Sequence, residues 1–503
     1  MLGLGRPHED PDLIALLLLY SITMFTGATL LFVVQPMVGK MILPLLGGTP
    51  AVWSTCMVFF QAALLGGYAY AHASTALLGV SRQMLLHVAL LALPFTVLPL
   101  AVNSALLRGG EANPVLDVLL LLSLSVGLPF LVVSATAPLI QQWFTRTGHP
   151  AARDPYFLYA ASNLGSMLAL LGYPTLIEPR LHLRGDGWLT QTSLWSLGYF
   201  ALAVLIVLCA LALWRRRSEP EPSDGAEATG GEQWSGVPPE PPLSWGRHLR
   251  WIALAFVPSS LLIGATTYIT TDIAAVPLLW VLPLAIYLLS FILAFGRWPA
   301  RLHRLVAAAI VPIVLVVFFL MLSGFKERIW ITVLWHFLLL FAVALACHGE
   351  LALTRPAARH LTQFYLLLSV GGVLGGIFSA LIAPAVLNRI AEYPLVMALA
   401  CLLVVRPRRP PAGRLRGFAE DVALALAVGV AGLVFFSDLV TIRVDTALFT
   451  RLLRIPSATV AEWITPAEAT ARKLLVYGTP IAALLFLRRR PAALALGLVL
   501  RLR

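Results

Sequence analysis

The sequence predicts an all-α, polytopic membrane protein, built as two parallel six-helix repeats with about two extra helices at the C-terminal end. Three observations predict it. Of 503 residues, 59% are hydrophobic and only 12% charged, about half the charged share of a soluble domain. The apolar residues gather in runs of about 20, the length at which a helix crosses a bilayer. Finally, three short motifs recur in the same order on either side of a polar linker. The short alternating segments of an outer-membrane barrel do not occur.

The net charge of +12 resides largely in arginines of short loops between apolar runs. That is the pattern of the positive-inside rule and of anionic headgroups, so the bilayer is the expected partner and nucleic acid is not. The four cysteines, Cys56, Cys209, Cys347 and Cys401, lie in or beside apolar runs without metal-type spacing and read as small buried residues.

The first apolar run, 13–34, is too long for a signal-peptide core and reads as a retained first span. Further spans are expected at 51–71, 84–103, 115–139, 157–177 and 192–214, completing a six-helix half over 13–214. The stretch 215–249 follows, rich in Pro, Gly, Glu and Ser, and reads as a flexible linker. A second half, 250–405, holds spans at 250–270, 274–296, 303–323, 329–347, 361–384 and 393–405. The remainder, 406–503, contains a basic loop, two further candidate spans (420–437 and 474–487) and a tail. Between those two spans, 438–473 includes "LFTRLLRIP", suited to an amphipathic interfacial helix. Arginines at 215–217, 247, 250, 297, 301, 406–416 and 488–490 fall on one side if the N-terminus and the linker are cytoplasmic.

The repeat is read from three matches. Gly27-Ala28-Thr29 recurs as Gly264-Ala265-Thr266, 237 residues on. "PAVW" at Pro50 matches "PLLW" at Pro277, 227 on, and "PAARDPYFLYAASNLGS" from Pro150 matches "PAARHLTQFYLLLSVGG" from Pro356, 206 on. The last pair equates Tyr159 with Tyr365 and Gly165 with Gly371. Two parallel six-helix halves are the repeat pattern of the major facilitator fold.

Polar residues inside apolar runs are the candidate site. In the 237 frame Asp272 falls opposite Gln35, and the two would flank one central cavity. Asp272 is either a cavity carboxylate for a cation or proton, or a cap on the span that begins near Ile273; Thr270 and Thr271 fit either reading. Pro36 is expected to end or kink the first helix directly after Gln35, and Lys40 to snorkel to the surface. Asn163, with Ser162 and Ser166, is a substrate contact or glue between helices, and Tyr159 joins it as a candidate. The glycines of "GGVLGG", Gly371–Gly376, have the spacing of close helix packing. His348 and Glu350 in "CHGELA" are candidates for proton coupling, or form a solvated helix end; Glu178 is similar, with Arg180 to neutralise it.

No P-loop, glycine-rich nucleotide loop, metal-spaced His/Cys cluster or nucleophile with a nearby base occurs. No catalytic residue, metal or cofactor is therefore expected.

Five stretches carry a family resemblance. They are "LLFVVQPMVGKMILPLLGGTPAVWSTCMVFFQAALLGGYAYAH" (30–72), "SATAPLIQQWF" (134–144), "HPAARDPYFLYAASNLGS" (149–166), "TTDIAAVPLLWVLPLAIYLLSFILAF" (270–295) and "CHGELALTRPAARHLTQFYLLLSVGGVLGGIFSALIAP" (347–384). Together they resemble the membrane region of bacterial fused major-facilitator/spermidine-synthase-like proteins. The resemblance implies an inner-membrane module joined to a cytoplasmic Rossmann-like domain akin to aminopropyltransferases. The acidic, glycine-rich loop of such a domain is absent from this sequence, which ends at Arg503 about where that domain is expected to begin.

The expected function is thus that of a transporter-like membrane module of a spermidine-synthase-like system, binding or moving a small metabolite, cationic and polyamine-like in the sharpest form. Its expected contacts are Asp272, Gln35, Thr271, Asn163 and Tyr159. The alternative is a non-transporting anchor for a soluble synthase-like protein.

Overall fold

The computed structural model describes residues 11–46, 50–102, 114–185, 189–217, 243–273, 280–296, 299–323, 329–387 and 392–404. Among them all regular structure is helical, and eight stretches are long and apolar enough to cross a membrane. The chain is an all-α, multi-pass membrane protein, as its apolar runs require: in hydrocarbon a helix satisfies every backbone group within itself. The candidate spans 420–437 and 474–487 and the interfacial segment 438–473 lie outside the described residues.

The helices are α1 (Pro11–Leu46), α2 (Pro50–Leu90), α3 (Pro114–Leu122), α4 (Leu128–Ser134), α5 (Thr136–Phe144), α6 (Phe157–Gly172) and α7 (Gln191–Arg217). After the linker come α8 (Trp245–Tyr268), α9 (Val281–Phe295), α10 (Ala300–Ser323), α11 (Ile329–Leu353), α12 (Leu361–Ile377), α13 (Ala383–Val386) and α14 (Glu392–Val404).

Two elements differ from the sequence expectation. α1 does not end at Pro36 but continues to Leu46, with Pro36 and Pro44 inside it. The proline removes one backbone bond, which packed neighbours in a membrane protein tolerate. α2 contains the second expected span and the beginning of the third, which leaves the α-helix after Leu90. Gly79 interrupts it with φ 70°, ψ 166°, and the rings of Tyr70 and His87 lie 5.9 Å apart. On a straight helix those residues would be about 25 Å apart, so α2 is a hairpin of two helical arms with Gly79 at its tip. This backbone conformation is essentially restricted to glycine. Gly79→Ala is expected to destabilise the protein by about 1–3 kcal/mol, even though the added methyl would meet no neighbour. A fall in the thermal midpoint in detergent checks this; an unchanged midpoint would mean that the tip adopts another turn.

The ion pair at the end of α1 also departs from expectation. Glu178 is held by Lys40, Nζ to Oε1 2.8 Å, and not by Arg180. Arg180 donates instead to the carbonyls of Thr175 and Leu176, capping the helix end.

The chain forms two compact units. The larger comprises Met1–Ile263, Leu278–Pro299 and Cys347–Ala385; the smaller comprises Gly264–Pro277, Ala300–Ala346 and Val386–Arg503. In the smaller unit α10 packs on α14, and His336 Nδ1 meets the Tyr393 hydroxyl at 2.7 Å beside the Tyr268 ring. In the larger unit α1 packs along α6 and α7. Buried donors there find backbone carbonyls: Tyr20 to Cys209 (3.2 Å), Trp195 to Leu30 (3.0 Å) and Tyr199 to Leu91 (2.8 Å). No water competes for them at that depth.

The larger unit contains a structural repeat. A one-turn 3₁₀ helix, an α-helix and a π-helical turn follow one another at Pro150–Arg153, Phe157–Gly172 and Tyr173–Ile177. The same three recur at Ala358–His360, Leu361–Ile377 and Phe378–Ile382. Gly165 of α6 lies against the Phe25 carbonyl of α1, and Gly371 of α12 against the Ile252 carbonyl of α8. The first pair of equivalents stands 206 apart and the second 227, two of the three offsets present in the sequence. The packing is reciprocal: α6 lies on α9, and its equivalent α12 lies on the first arm of α2, the equivalent of α9. Exchange of this kind is the mark of a two-fold relation. The equivalent residues Tyr159 and Tyr365 touch, with ring centroids 4.9 Å apart, so the axis passes beside them.

Candidate functional site

The larger unit contains a cavity of about 190 Å³, the space of about six liquid waters. Residues of both repeats line it: α1, α2, α4, α5 and α6 from the first, α8, α9 and α12 from the second. Gln35, Tyr159 and Asn163, all three expected from the sequence, are on its wall, with Ser162 and Ser166. Gln35 is buried and its Nε2 donates to the Leu31 carbonyl, one turn back, at 3.2 Å. Asn163 Nδ2 likewise donates to the Tyr159 carbonyl at 2.8 Å. These bonds hold each amide against its own helix.

The other expected residues lie elsewhere. The packing relates α1 to α8 by 227 residues, which places Gln35 level with Leu262, and both line the cavity. The 237 frame that set Gln35 opposite Asp272 is not the frame of the packing. Asp272 sits in the π-helical turn Ile269–Ile273, which continues α8 and does not open α9; its side chain lies outside the described residues. Thr271 is an exposed residue of the same turn, in the smaller unit.

His348 and Glu350 do not form a solvated helix end, because α11 runs on to Leu353 and both are buried. His348 stacks on Phe291 with centroids 3.5 Å apart, and its Nδ1 meets Ser290 Oγ at 2.8 Å. It stands one layer behind the cavity, since Phe291 is part of the wall. Glu350 accepts a charged hydrogen bond from Arg250 Nη2 at 2.9 Å.

Among the wall residues not singled out in the sequence are Gln61, Thr136 and Ser369. Gln61 Oε1, Thr136 Oγ1 and Ser369 Oγ are buried and make no hydrogen bond. Thr136 and Ser369 are only 2% and 8% exposed. Gln61 carried a readable signal, as the one amide in the apolar run "MVFFQAALL". Thr136 and Ser369 carried none, because small hydroxyl residues recur throughout membrane helices.

Aromatic rings border the cavity where α6 and α12 begin. Tyr159 contacts Phe291 (5.4 Å), Phe295 (5.1 Å) and Tyr365 (4.9 Å); Tyr365 in turn contacts Tyr68 and Tyr156. Tyr365 donates to Gln141 Oε1 at 2.9 Å. Beyond this layer, Tyr156 donates to the Pro356 carbonyl at 3.0 Å and Arg355 pairs with Asp154 at 2.6 Å. The loops preceding α6 and α12 are thereby tied to each other.

No family model matches the chain, and no curated protein matches it. Among solved structures, the inward-open xylose transporter XylE from E. coli is 12% identical with a TM-score of 0.49, covering 80% of this chain and 98% of its own. The major facilitator superfamily transporter FucP, in its outward conformation, is 14% identical with a TM-score of 0.41, covering 76% and 96%. A bacterial homologue of the human lysosomal transporter Spinster, inward-facing and occupied, is 15% identical with a TM-score of 0.40, covering 99% and 98%.

Proposed function

We propose that the protein is a transporter-like membrane protein that carries a small solute by exposing the cavity of its larger unit to the two sides of the membrane in turn. The observation that carries this reading is the partly polar cavity lined by both repeats beside their two-fold axis. The reciprocal interfaces, α6 on α9 and α12 on α2, give two related surfaces on which the halves can rock about the bound solute. With the arginine-rich loops cytoplasmic, the aromatic layer lies at the cytoplasmic end of the cavity. His348 is the residue best placed for proton coupling: its Nε2 is buried without a partner, and its ring rests on Phe291 of the cavity wall.

A spermidine-synthase-like association rests on the wording of the motifs alone. A polyamine-like solute would need carboxylates, and among the described residues of the wall there is no Asp or Glu.

The test is thiol access to Ser162→Cys, with the wild type as control, since the four native cysteines are buried. A membrane-impermeant maleimide is applied to sealed vesicles of either orientation. Labelling from both faces, each blocked by trapping the opposite conformation with a conformation-specific nanobody, is expected. Labelling from one face only, under every condition, would leave a receptor or anchor and no transporter.

A further inference from the structure

We infer that a phospholipid of the surrounding bilayer seats one acyl chain in a groove between α6 and α9, with its phosphate on Arg180. The inference goes beyond the transporter reading and stands without it, because it needs only that the chain lies in a membrane.

The groove has a volume of about 460 Å³ and belongs to the larger unit. Leu168, Leu171, Pro174 and Leu176 line it from α6 and its π-helical turn, and Val281 and Leu282 from the first turn of α9. It therefore lies on the seam between the two repeats, where α6 ends and α9 begins. From Leu168 to Leu176 it runs about 12 Å, close to the ~15 Å of hydrocarbon in one leaflet. Leu168, Leu171, Leu176 and Leu282 are exposed, so the groove is open on its outer side. Among the described lining residues the one polar side chain is Thr175, and its hydroxyl is spent on the Leu171 carbonyl at 2.7 Å. Such a surface offers contact to an alkyl chain and nothing to a polar solute.

One end of the groove is charged. Arg180 Nη1 donates to the carbonyls of Thr175 and Leu176 at 3.2 and 3.3 Å, which holds the guanidinium against two lining residues. Those bonds use part of a group with five N–H donors, and Arg180 is exposed. The neighbouring carboxylate, Glu178, is neutralised by Lys40 at 2.8 Å. The charge left at the mouth is thus positive and suits a phosphate. Trp280, at the start of α9, is a residue type that collects at the membrane–water boundary. An apolar groove of leaflet depth with a guanidinium at its boundary end matches the layout of a phospholipid.

The experiment titrates phosphatidylglycerol into the delipidated full-length protein in detergent and counts bound lipid by native mass spectrometry. The wild type is expected to hold one phosphatidylglycerol at least about tenfold more tightly than those that follow. Gly172→Phe should remove that first site. Gly172 lines the groove, a β-carbon there meets nothing among the described residues, and its backbone is helical at φ −71°, ψ −29°. The repeat already carries a phenylalanine at this register, Phe378. If Gly172→Phe fails to fold, Leu282→Trp narrows the groove from an exposed position on α9 and repeats the test. Arg180→Gln should weaken the first lipid by about tenfold, the scale of one lost charged hydrogen bond, and Arg180→Lys should recover part of the loss. Glycerol phosphate, which has the phosphate and no chain, should not compete. Graded binding without a distinct first lipid would overturn the inference, as would a first lipid that persists in folded Gly172→Phe or ignores Arg180→Gln. Competition by glycerol phosphate would leave an anion site without a chain, and a dimer that Gly172→Phe dissociates would give the groove to a second copy; either result overturns the lipid.

Discussion

Gly371→Leu and Gly165→Leu are expected to destabilise the protein by similar amounts, each about 3 kcal/mol, the upper end of the cost of overpacking. A β-carbon at Gly165 would overlap the Phe25 carbonyl of α1, and one at Gly371 the Ile252 carbonyl of α8. Backbone is a poor candidate to move aside. Between membrane helices the association comes from close packing and not from a hydrophobic drive, so separating the pair forfeits the contact itself. Gly172→Leu, at the end of α6 where an added carbon meets nothing, serves as the control and should be close to neutral. The readout is the thermal midpoint in detergent. Unequal losses would count against the equivalence of the two helix pairs, and with it the 227-residue frame that relates α1 to α8.

That frame shows where the sequence was legible and where it was not. The spans could be read because hydrocarbon demands about 20 apolar residues for each crossing. The expected 157–177 coincides with α6 and its π-helical turn, Phe157–Ile177. The last part of α1 was not legible, because Pro36 is a breaker in water and a tolerated residue here. The repeat was legible in "PAAR" and in "PAVW" against "PLLW". The triplet Gly-Ala-Thr misled, since small residues recur in membrane helices whether or not they are equivalent. In the packing Gly27 lies against Thr136, whereas Gly264 lies against Tyr393, so the two glycines do different work.

The site was half legible for a related reason. Gln35, Asn163 and Tyr159 stood out as polar groups in apolar runs, and the fold brings them to one wall. Asp272 stood out more sharply than any of them. Depth along a helix cannot be read without the correct frame, however, and the packing frame matches Asp272 with Leu45 rather than Gln35. Gln61, Thr136 and Ser369 reach the same wall because of how α2, α5 and α12 pack, and that is a property of the fold and not of the letters.

Tyr365→Ala is expected to open the end of the cavity where α6 and α12 begin. Tyr365 is the repeat equivalent of Tyr159, and their contact lies at the two-fold axis, where the two halves must part if the cavity is to open there. Its ring also meets Tyr68, Tyr156 and Phe364, and its hydroxyl is bound to Gln141. Truncating a buried aromatic side chain costs about 3–5 kcal/mol. The part of that cost borne only by the closed arrangement shifts the equilibrium toward the open one, at tenfold for each 1.4 kcal/mol. The labelling rate of Ser162→Cys from the face bearing residues 145–156 and 354–360 should rise at least about tenfold, for a shift of that size. Tyr365→Phe keeps the rings in contact and loses only the hydroxyl bond to Gln141, so its effect should be several-fold smaller. If Tyr365→Ala leaves the rate unchanged while the protein stays folded, the barrier is not the aromatic layer. The bonds beyond it, Arg355 to Asp154 and Tyr156 to the Pro356 carbonyl, would then be the closure to break.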